Sequence, residues 1–151
     1  MIEITPIEVP ENKKCAFCAY LSGQRPYTIL SRTNLTATFV TREQRGISHL
    51  LIVPIRHAPT ILELTDEEIC AIAIELKKAA KLINSAYLRP GIAVWQNNGA
   101  PAGQAIGHFH FHIAGTLDGG GTDFGNVEEI SVDETDAIAK KLLAHLPQNE
   151  N

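Results

Sequence analysis

The chain has 151 residues, of which 44% are hydrophobic and 20% are charged, and its formal net charge is −4. These values are typical of one globular domain, residues 1–151, large enough to bury a single core. The charge gives no general basic field for nucleic acid or an anionic membrane, so we expect small ligands as partners. No stretch approaches about 18 consecutive apolar residues, and the start lacks a secretory signal. We therefore expect a cytoplasmic protein with no membrane or nucleic-acid partner.

Three short runs early in the chain are rich in β-branched and apolar residues, and polar turns separate them. They cover residues 27–31, 36–40 and 49–54. This pattern predicts a meander of antiparallel strands. Proline cannot donate to a sheet ladder, so Pro54 should end the third strand.

A long helix is predicted from Asp66 to Tyr87. Thr65 and Glu68 form a capping box at its start, and apolar residues recur along one face: Ile69, Ile72, Leu76, Ala80, Ile83 and Tyr87. Cys70 falls within this helix, and we expect it to be a small buried or half-buried residue. The Arg-Pro-Gly sequence at 89–91 ends the helix, and a fourth strand is predicted at 91–97.

The second half continues with a turn-rich loop at 97–104, a histidine-rich strand and a glycine-rich segment at 115–126. That segment lacks the spacing of a phosphate-binding glycine loop, so we expect a linker or flap. A second capping box, Ser131 and Glu134, opens a closing helix to about Leu146. The predicted fold class is therefore α+β, with an antiparallel sheet of about five strands, one long helix and a C-terminal helix.

The stretch GHFHFHIAG at 107–115 places a histidine at every second position. On a strand, His108, His110 and His112 would line one face while the intervening phenylalanines face the core. Imidazole has an ordinary pKa near 6.5, so the row could mix neutral and protonated rings and supply a nucleophile and a proton donor. A neutral ring nitrogen can attack phosphorus. A purely metal-binding row, or a histidine-rich strand without chemistry, are the alternatives.

Two of the three cysteines, Cys15 and Cys18, form a CxxC motif. Such a short loop favours metal or redox chemistry over a structural disulfide. With two histidines the pair would complete a closed, tetrahedral zinc site of structural type. Reduced cysteines without metal are the alternative, and no βαβ pattern supports a thioredoxin-like role.

Four segments together resemble one known family. The run His108–Ala114 matches its histidine-alternating signature, and CAFC resembles its N-terminal CxxC. Residues 48–57 resemble its segment of histidine, apolar run, proline and second histidine, and residues 97–104 resemble the loop before the signature. The chain is similar to the histidine triad family of nucleotide hydrolases and transferases.

The resemblance implies roles for particular residues. His110 would be the nucleophile that forms a covalent nucleotidyl intermediate, His112 would contact the phosphate or leaving group, and His49 would support the site. Asn97 and Gln104 would contact ribose and phosphates. Zinc would be held by four residues, Cys15, Cys18, His57 and His108. The resemblance also implies a homodimer and a purine nucleotide or nucleotide conjugate, such as a nucleoside phosphoramidate or dinucleoside polyphosphate, as substrate.

Two positions differ from the family pattern. Thr41 stands where an acidic residue commonly holds ribose hydroxyls, and Ala105 stands where serine or threonine is common. A catalytically weak nucleotide-binding module is therefore the alternative function, and a metal-handling protein with metal on all three triad histidines is a third. Arg42 and Arg45 are expected to be solvated loop residues, with phosphate binding as the alternative.

Overall fold

The structure is a computed structural model that describes residues 6–11 and 13–147. Five antiparallel strands form one sheet in the order β1-β2-β3-β5-β4. The strands are β1 Ile29–Arg32, β2 Thr36–Val40, β3 Ile47–Pro54, β4 Ile92–Trp95 and β5 Phe111–Gly115; the helices are α1 Ala16–Leu21, α2 Asp66–Tyr87 and α3 Val132–Leu143. The α+β prediction is confirmed. Within the described residues, no helix combines the length and apolar character needed to cross a bilayer.

Helix α2 covers one face of the sheet and begins with the predicted capping box. Ile72 and Ile83 are fully buried in the main core cluster, with Leu50 and Phe109 of the sheet side and Leu142 of α3. Glu68 completes the cap and accepts a hydrogen bond of 2.6 Å from Arg56. The bounds of α2 therefore agree at both ends with those predicted from the capping box and the apolar periodicity.

The prediction for Cys70 is wrong, because the residue is exposed. Each residue advances about 100° around a helix, so position 70 lies about 200° from the buried positions 68 and 72 and faces solvent. The end of α3 also differs from the prediction. This helix ends at Leu143, because the next N–H groups, those of His145 and Leu146, donate to the carbonyls three residues back instead of four.

Strand β3 carries a bulge directly before the histidine at position 49. The register with β5 shifts between Ile47 and Leu50, and Ser48 has a positive φ of 60°. Bulges redirect side chains next to functional sites. Here the bulge turns the His49 ring toward β5, where it meets His112.

Strand β5 begins at Phe111, so only the last of the three alternate histidines lies in the regular strand. The last rung between β3 and β5 joins Ile52 to Phe111. The next rung would need an N–H from Pro54, which has none. The Phe109 N–H donates instead to the Ala58 carbonyl, at 2.7 Å. The predicted strand therefore starts later than expected, although its alternation of faces continues through residue 108.

Candidate active site and metal centre

The three alternate histidines point away from the main core, as predicted, while Phe109, Phe111 and Ile113 pack into it. They do not share one environment. His108 is fully buried and faces the two N-terminal cysteines, whereas the rings of His110 and His112 contact each other at a centroid distance of 4.9 Å. The row therefore divides into one histidine at a cysteine cluster and two at a separate site.

His110 is held in one tautomer by the backbone carbonyl of His108. Its Nδ1 lies 2.7 Å from the carbonyl oxygen of His108. A carbonyl only accepts, so Nδ1 carries the hydrogen and Nε2 keeps a free lone pair. Phe17 packs edge-on against this ring at 5.1 Å. The arrangement orients an unprotonated ring nitrogen, which is what a nucleophile requires.

His49 and His112 form a hydrogen-bonded pair, with 3.0 Å between His49 Nε2 and His112 Nδ1. The other nitrogen of His49 lies 3.0 Å from the Glu43 carbonyl and 3.1 Å from the Arg45 N–H. Gln44 fixes the backbone of His49, because its amide accepts from the His49 N–H at 2.8 Å and donates to the His49 carbonyl at 2.9 Å. The loop at 41–46 therefore holds His49 from both its backbone and its ring.

Burial lowers the pKa of His49 to about 4 and that of His112 to about 2. Positive charge on Arg45 acts in the same direction on both rings. Burial also lowers the pKa of His110. The protein without ligand therefore favours the neutral form of all three rings, whereas the sequence predicted a mixture of neutral and protonated imidazoles.

Sequence reasoning missed two aromatic residues at the site. Trp95 is stacked on His112, with ring centroids 4.8 Å apart and planes 4° apart, and it also contacts His49 at 5.1 Å. Phe17, inside the CxxC motif, contacts both His108 and His110. The available signals were that Trp95 is the sequence's single tryptophan and lies on a predicted strand, and that Phe17 separates two candidate ligands.

Asn97 and Gln104 lie in the compact loop before the histidines. Gln104 is buried, its Oε1 accepts from the Gly99 N–H at 2.7 Å, and its Nε2 donates to the carbonyls of Pro59 and Ile106 at 2.8 and 2.9 Å. Asn97 Nδ2 donates to the Ala102 carbonyl at 2.8 Å. These hydrogen bonds brace the loop. The contact of Gln104 with ribose or phosphate stays a prediction. If it were made through Nε2, one of the two hydrogen bonds from Nε2 to the carbonyls of Pro59 and Ile106 would have to break.

The arginines of the 41–46 loop bind the segment that follows β5. Arg45 Nη1 donates to the carbonyls of Asp123 and Gly125 at 3.0 and 2.7 Å, and Arg42 Nε donates to the Ile130 carbonyl at 2.7 Å. They are therefore structural anchors, which neither expectation from the sequence had proposed. They hold the glycine-rich segment beside the site, where the exposed ring of Phe124 contacts Trp95 at 6.1 Å.

Four ligand atoms meet at the N-terminal cysteines, in agreement with the predicted set. Donor atoms of Cys15, Cys18, His57 and His108 all lie within 4.8 Å of one another. His108 Nε2 lies 2.9 Å from the Pro54 carbonyl, so it carries the hydrogen and Nδ1 is free to ligate. Across residues 6–11 and 13–147, no other such group is found. A metal bound by all three triad histidines is therefore not supported.

Four of the six separations between the donor atoms match those of a tetrahedral zinc site. Zinc bond lengths give ligand separations of roughly 3.3 Å between two nitrogens and 3.6 Å between nitrogen and sulfur. His57 and His108 Nδ1 atoms lie 3.2 Å apart, and three of the four sulfur-to-nitrogen separations are 3.3, 3.5 and 3.6 Å. Burial and the Cys15 thiol raise the pKa of Cys18 to about 11. A cation would favour the thiolate that burial disfavours.

The fold and site define a class: a small α+β protein whose reactive groups are imidazoles on the central strands of an antiparallel sheet. The HIT domain family model matches residues 22–118, more than half of the chain. The chain belongs to the HIT, or histidine triad, family of nucleotide hydrolases and transferases.

Individual relatives agree with this membership. The chain is 35% identical to the adenosine 5′-monophosphoramidase of Schizosaccharomyces pombe over 99 residues, which cover 66% of this chain and 71% of that protein. The crystal structure of a HIT-like protein involved in cell-cycle regulation from Bartonella henselae superimposes with a TM-score of 0.81 at 22% identity, covering 92% of this chain and all of that one. A zinc-bound histidine triad family protein from Mycobacterium smegmatis has a TM-score of 0.71 at 22% identity, covering 86% and 93%.

Proposed function

We propose that this protein hydrolyses or transfers a nucleotidyl group by attack of His110 Nε2 on an α-phosphorus. The observation that carries the proposal is the hydrogen bond from His110 Nδ1 to the His108 carbonyl, which leaves Nε2 with a free lone pair. The similar adenosine 5′-monophosphoramidase favours an adenosine phosphoramidate as the first substrate to test. A dinucleoside polyphosphate offers the same reacting phosphorus.

The reaction has two steps. In the first, a bond forms between His110 Nε2 and phosphorus while the bond from phosphorus to the amine breaks, and the amine leaves with the proton of His112 Nε2. In the second, water attacks phosphorus, its proton passes to His112 Nε2, the bond between phosphorus and His110 Nε2 breaks, and AMP is released. In both steps the hydrogen stays on His110 Nδ1, and the His108 carbonyl that accepts it stabilises the positive charge that the ring gains on attack.

His112 and His49 are proposed to serve the phosphate and the leaving group. They form a bonded pair whose rings contact His110 through His112. A His112 N–H aimed at a phosphate oxygen or at the leaving nitrogen would stabilise charge that develops in the transition state. Asn97 and Gln104 are proposed to contact ribose and phosphates from the preceding loop. A homodimer remains the proposed assembly.

The test compares wild type, His110→Ala and His145→Ala for AMP release from an adenosine phosphoramidate, with AMP binding measured in parallel. His145 is exposed and follows α3, so it controls for loss of a histidine outside the site. We expect His110→Ala to lose about a thousandfold or more in kcat while AMP still binds. Equal background rates for wild type and His110→Ala, with AMP bound by both, would instead identify a catalytically weak nucleotide-binding module.

We also propose that Cys15, Cys18, His57 and His108 hold a structural zinc ion. The support is the convergence of the four donor atoms, all within 4.8 Å of one another, and the free Nδ1 of His108. All four positions are filled by protein, so the ion would have no open position for substrate. His57 is exposed, and with Cys15 it lines a surface cavity of about 440 Å³ through which a cation can enter.

A further inference from the structure

Trp95 stacks on one member of the hydrogen-bonded His49–His112 pair. It is the single tryptophan of the sequence and lies at the end of β4, where it pairs directly across from His112 of β5. Directly paired side chains on neighbouring antiparallel strands contact one another. The two rings are nearly parallel, 4° apart in plane and 4.8 Å apart in centroid. The indole therefore covers one face of the His112 imidazole.

The His49–His112 pair has two neutral arrangements of its protons. If His49 Nδ1 donates to the Glu43 carbonyl, His49 Nε2 accepts from His112 Nδ1, and His112 Nε2 is unprotonated. If His49 Nδ1 accepts from the Arg45 N–H, its Nε2 donates to His112, and His112 Nε2 carries a hydrogen. Both partners of His49 Nδ1 are in place, at 3.0 and 3.1 Å. The pair can therefore present His112 Nε2 as acceptor or donor without a change of net charge.

This exchange depends on the plane of the His112 ring. Rotation of the imidazole about its bond to Cβ moves Nδ1 out of line with His49 Nε2, and hydrogen bonds weaken steeply as they bend. His112 is only half-buried, and terminal torsions of histidine are broad without packing. The Trp95 ring removes that freedom on one side. Phe124 contacts the same indole edge-on at 6.1 Å, which limits movement of the tryptophan itself.

We infer that Trp95 is a positioning residue that keeps the His112 imidazole aligned with His49, so that the pair can deliver a proton at His112 Nε2. The inference rests on the proposed function for its kinetic consequence, but the alignment itself is a property of the protein without substrate. Trp95 acts through His112 and makes no bond to the reacting atoms.

The test uses Trp95→Leu, Trp95→Phe and Val94→Ala. Leucine removes the flat ring, phenylalanine keeps one, and Val94 is a half-exposed neighbour on β4 that controls for weakening of this edge strand. Two readouts are taken at pH 7: AMP release from an adenosine phosphoramidate, and imidazole nitrogen-15 chemical shifts of His112, which report tautomer and hydrogen bonding. Thermal unfolding confirms that each variant is folded.

We expect Trp95→Leu to lower kcat about tenfold, part of the effect of a positioned acid or base, with KM changed less than about twofold. Its His112 shifts should move toward those of an unconstrained imidazole, while Trp95→Phe and Val94→Ala stay close to wild type. Wild-type shifts in Trp95→Leu would overturn the inference, and so would an equal effect of Val94→Ala. If wild type releases no AMP, the proposed function fails, and the nitrogen-15 shifts alone decide for or against the positioning role.

Discussion

His49 shows how one buried side chain can make stability depend on pH. Its side chain is only 1% exposed, and burial lowers its pKa to about 4, against about 6.5 in an unfolded chain. Between these two values the unfolded state binds the additional proton. Stability contributed by the neutral ring is therefore complete above about pH 6.5 and is lost as the pH falls toward 4.

We therefore predict that His49→Gln reduces the pH dependence of folding. Glutamine cannot bind this proton, so the slope of unfolding free energy against pH between 6 and 5 should fall by about 1 kcal/mol per pH unit. Urea unfolding of wild type and His49→Gln at pH 7, 6 and 5 measures the slope. His145→Ala, which removes an exposed histidine, serves as the control. Parallel slopes for wild type and His49→Gln would contradict the assignment of a lowered pKa to His49.

Among the elements, β3 is the one whose irregularity serves the site. The bulge at Ser48 turns His49 toward β5. It lowers the stability of the fold in two ways. A non-glycine residue at positive φ costs about 1 kcal/mol, and the Ser48 Oγ is buried without a hydrogen-bond partner among the described residues. Strain of this kind is common where a backbone must aim a functional side chain.

Replacing Ser48 by glycine should relieve both costs. Glycine adopts φ near 60° freely and carries no hydroxyl, although it loses more entropy on folding. We expect Ser48→Gly to be more stable by about 1 kcal/mol, which corresponds to a rise of about 3 °C in Tm by calorimetry. Ser85→Gly, at an exposed position of α2, should instead be less stable, because glycine is unfavourable in a helix. A lower Tm for Ser48→Gly would show that the serine backbone is not strained.

The elements also show what the sequence can and cannot predict. Helix α2 follows from local capping and periodicity, and strand β2 follows from its run of β-branched and apolar residues, so the bounds of both were predicted correctly. The start of β5 depended on its partner, because Pro54 ends the ladder from another strand. The roles of Arg45 and Trp95 depend on contacts with residues far away in the sequence. Such contacts produce no pattern in the residues that flank Arg45 or Trp95, so the sequence could not predict them. The four candidate zinc ligands could be predicted, because the CxxC motif identifies the two cysteines and the family resemblance identifies the two histidines by their positions in the sequence.

At the scale of the whole molecule, the cysteine cluster joins the N-terminal helix to the ends of two paired strands, β3 and β5. Cys15 caps the N-terminal helix α1 and Cys18 lies within it, His57 follows β3, and His108 precedes β5. Phe17, between the two cysteines, packs against both His108 and His110. A metal in this cluster would therefore brace the backbone two residues from the proposed nucleophile, and its loss would affect both stability and the alignment of His110.

We predict that the wild-type protein carries about one zinc ion per chain by elemental analysis, and that Cys15→Ser loses most of it. Because zinc binds the folded state, chelation should lower the unfolding free energy, by about 4 kcal/mol where free zinc had been a thousand times its dissociation constant. Cys70→Ser removes the exposed third cysteine and is the matched control, expected to keep both metal and stability. Full metal content in Cys15→Ser would place the ion elsewhere, since the remaining three ligands bind a tetrahedral ion weakly.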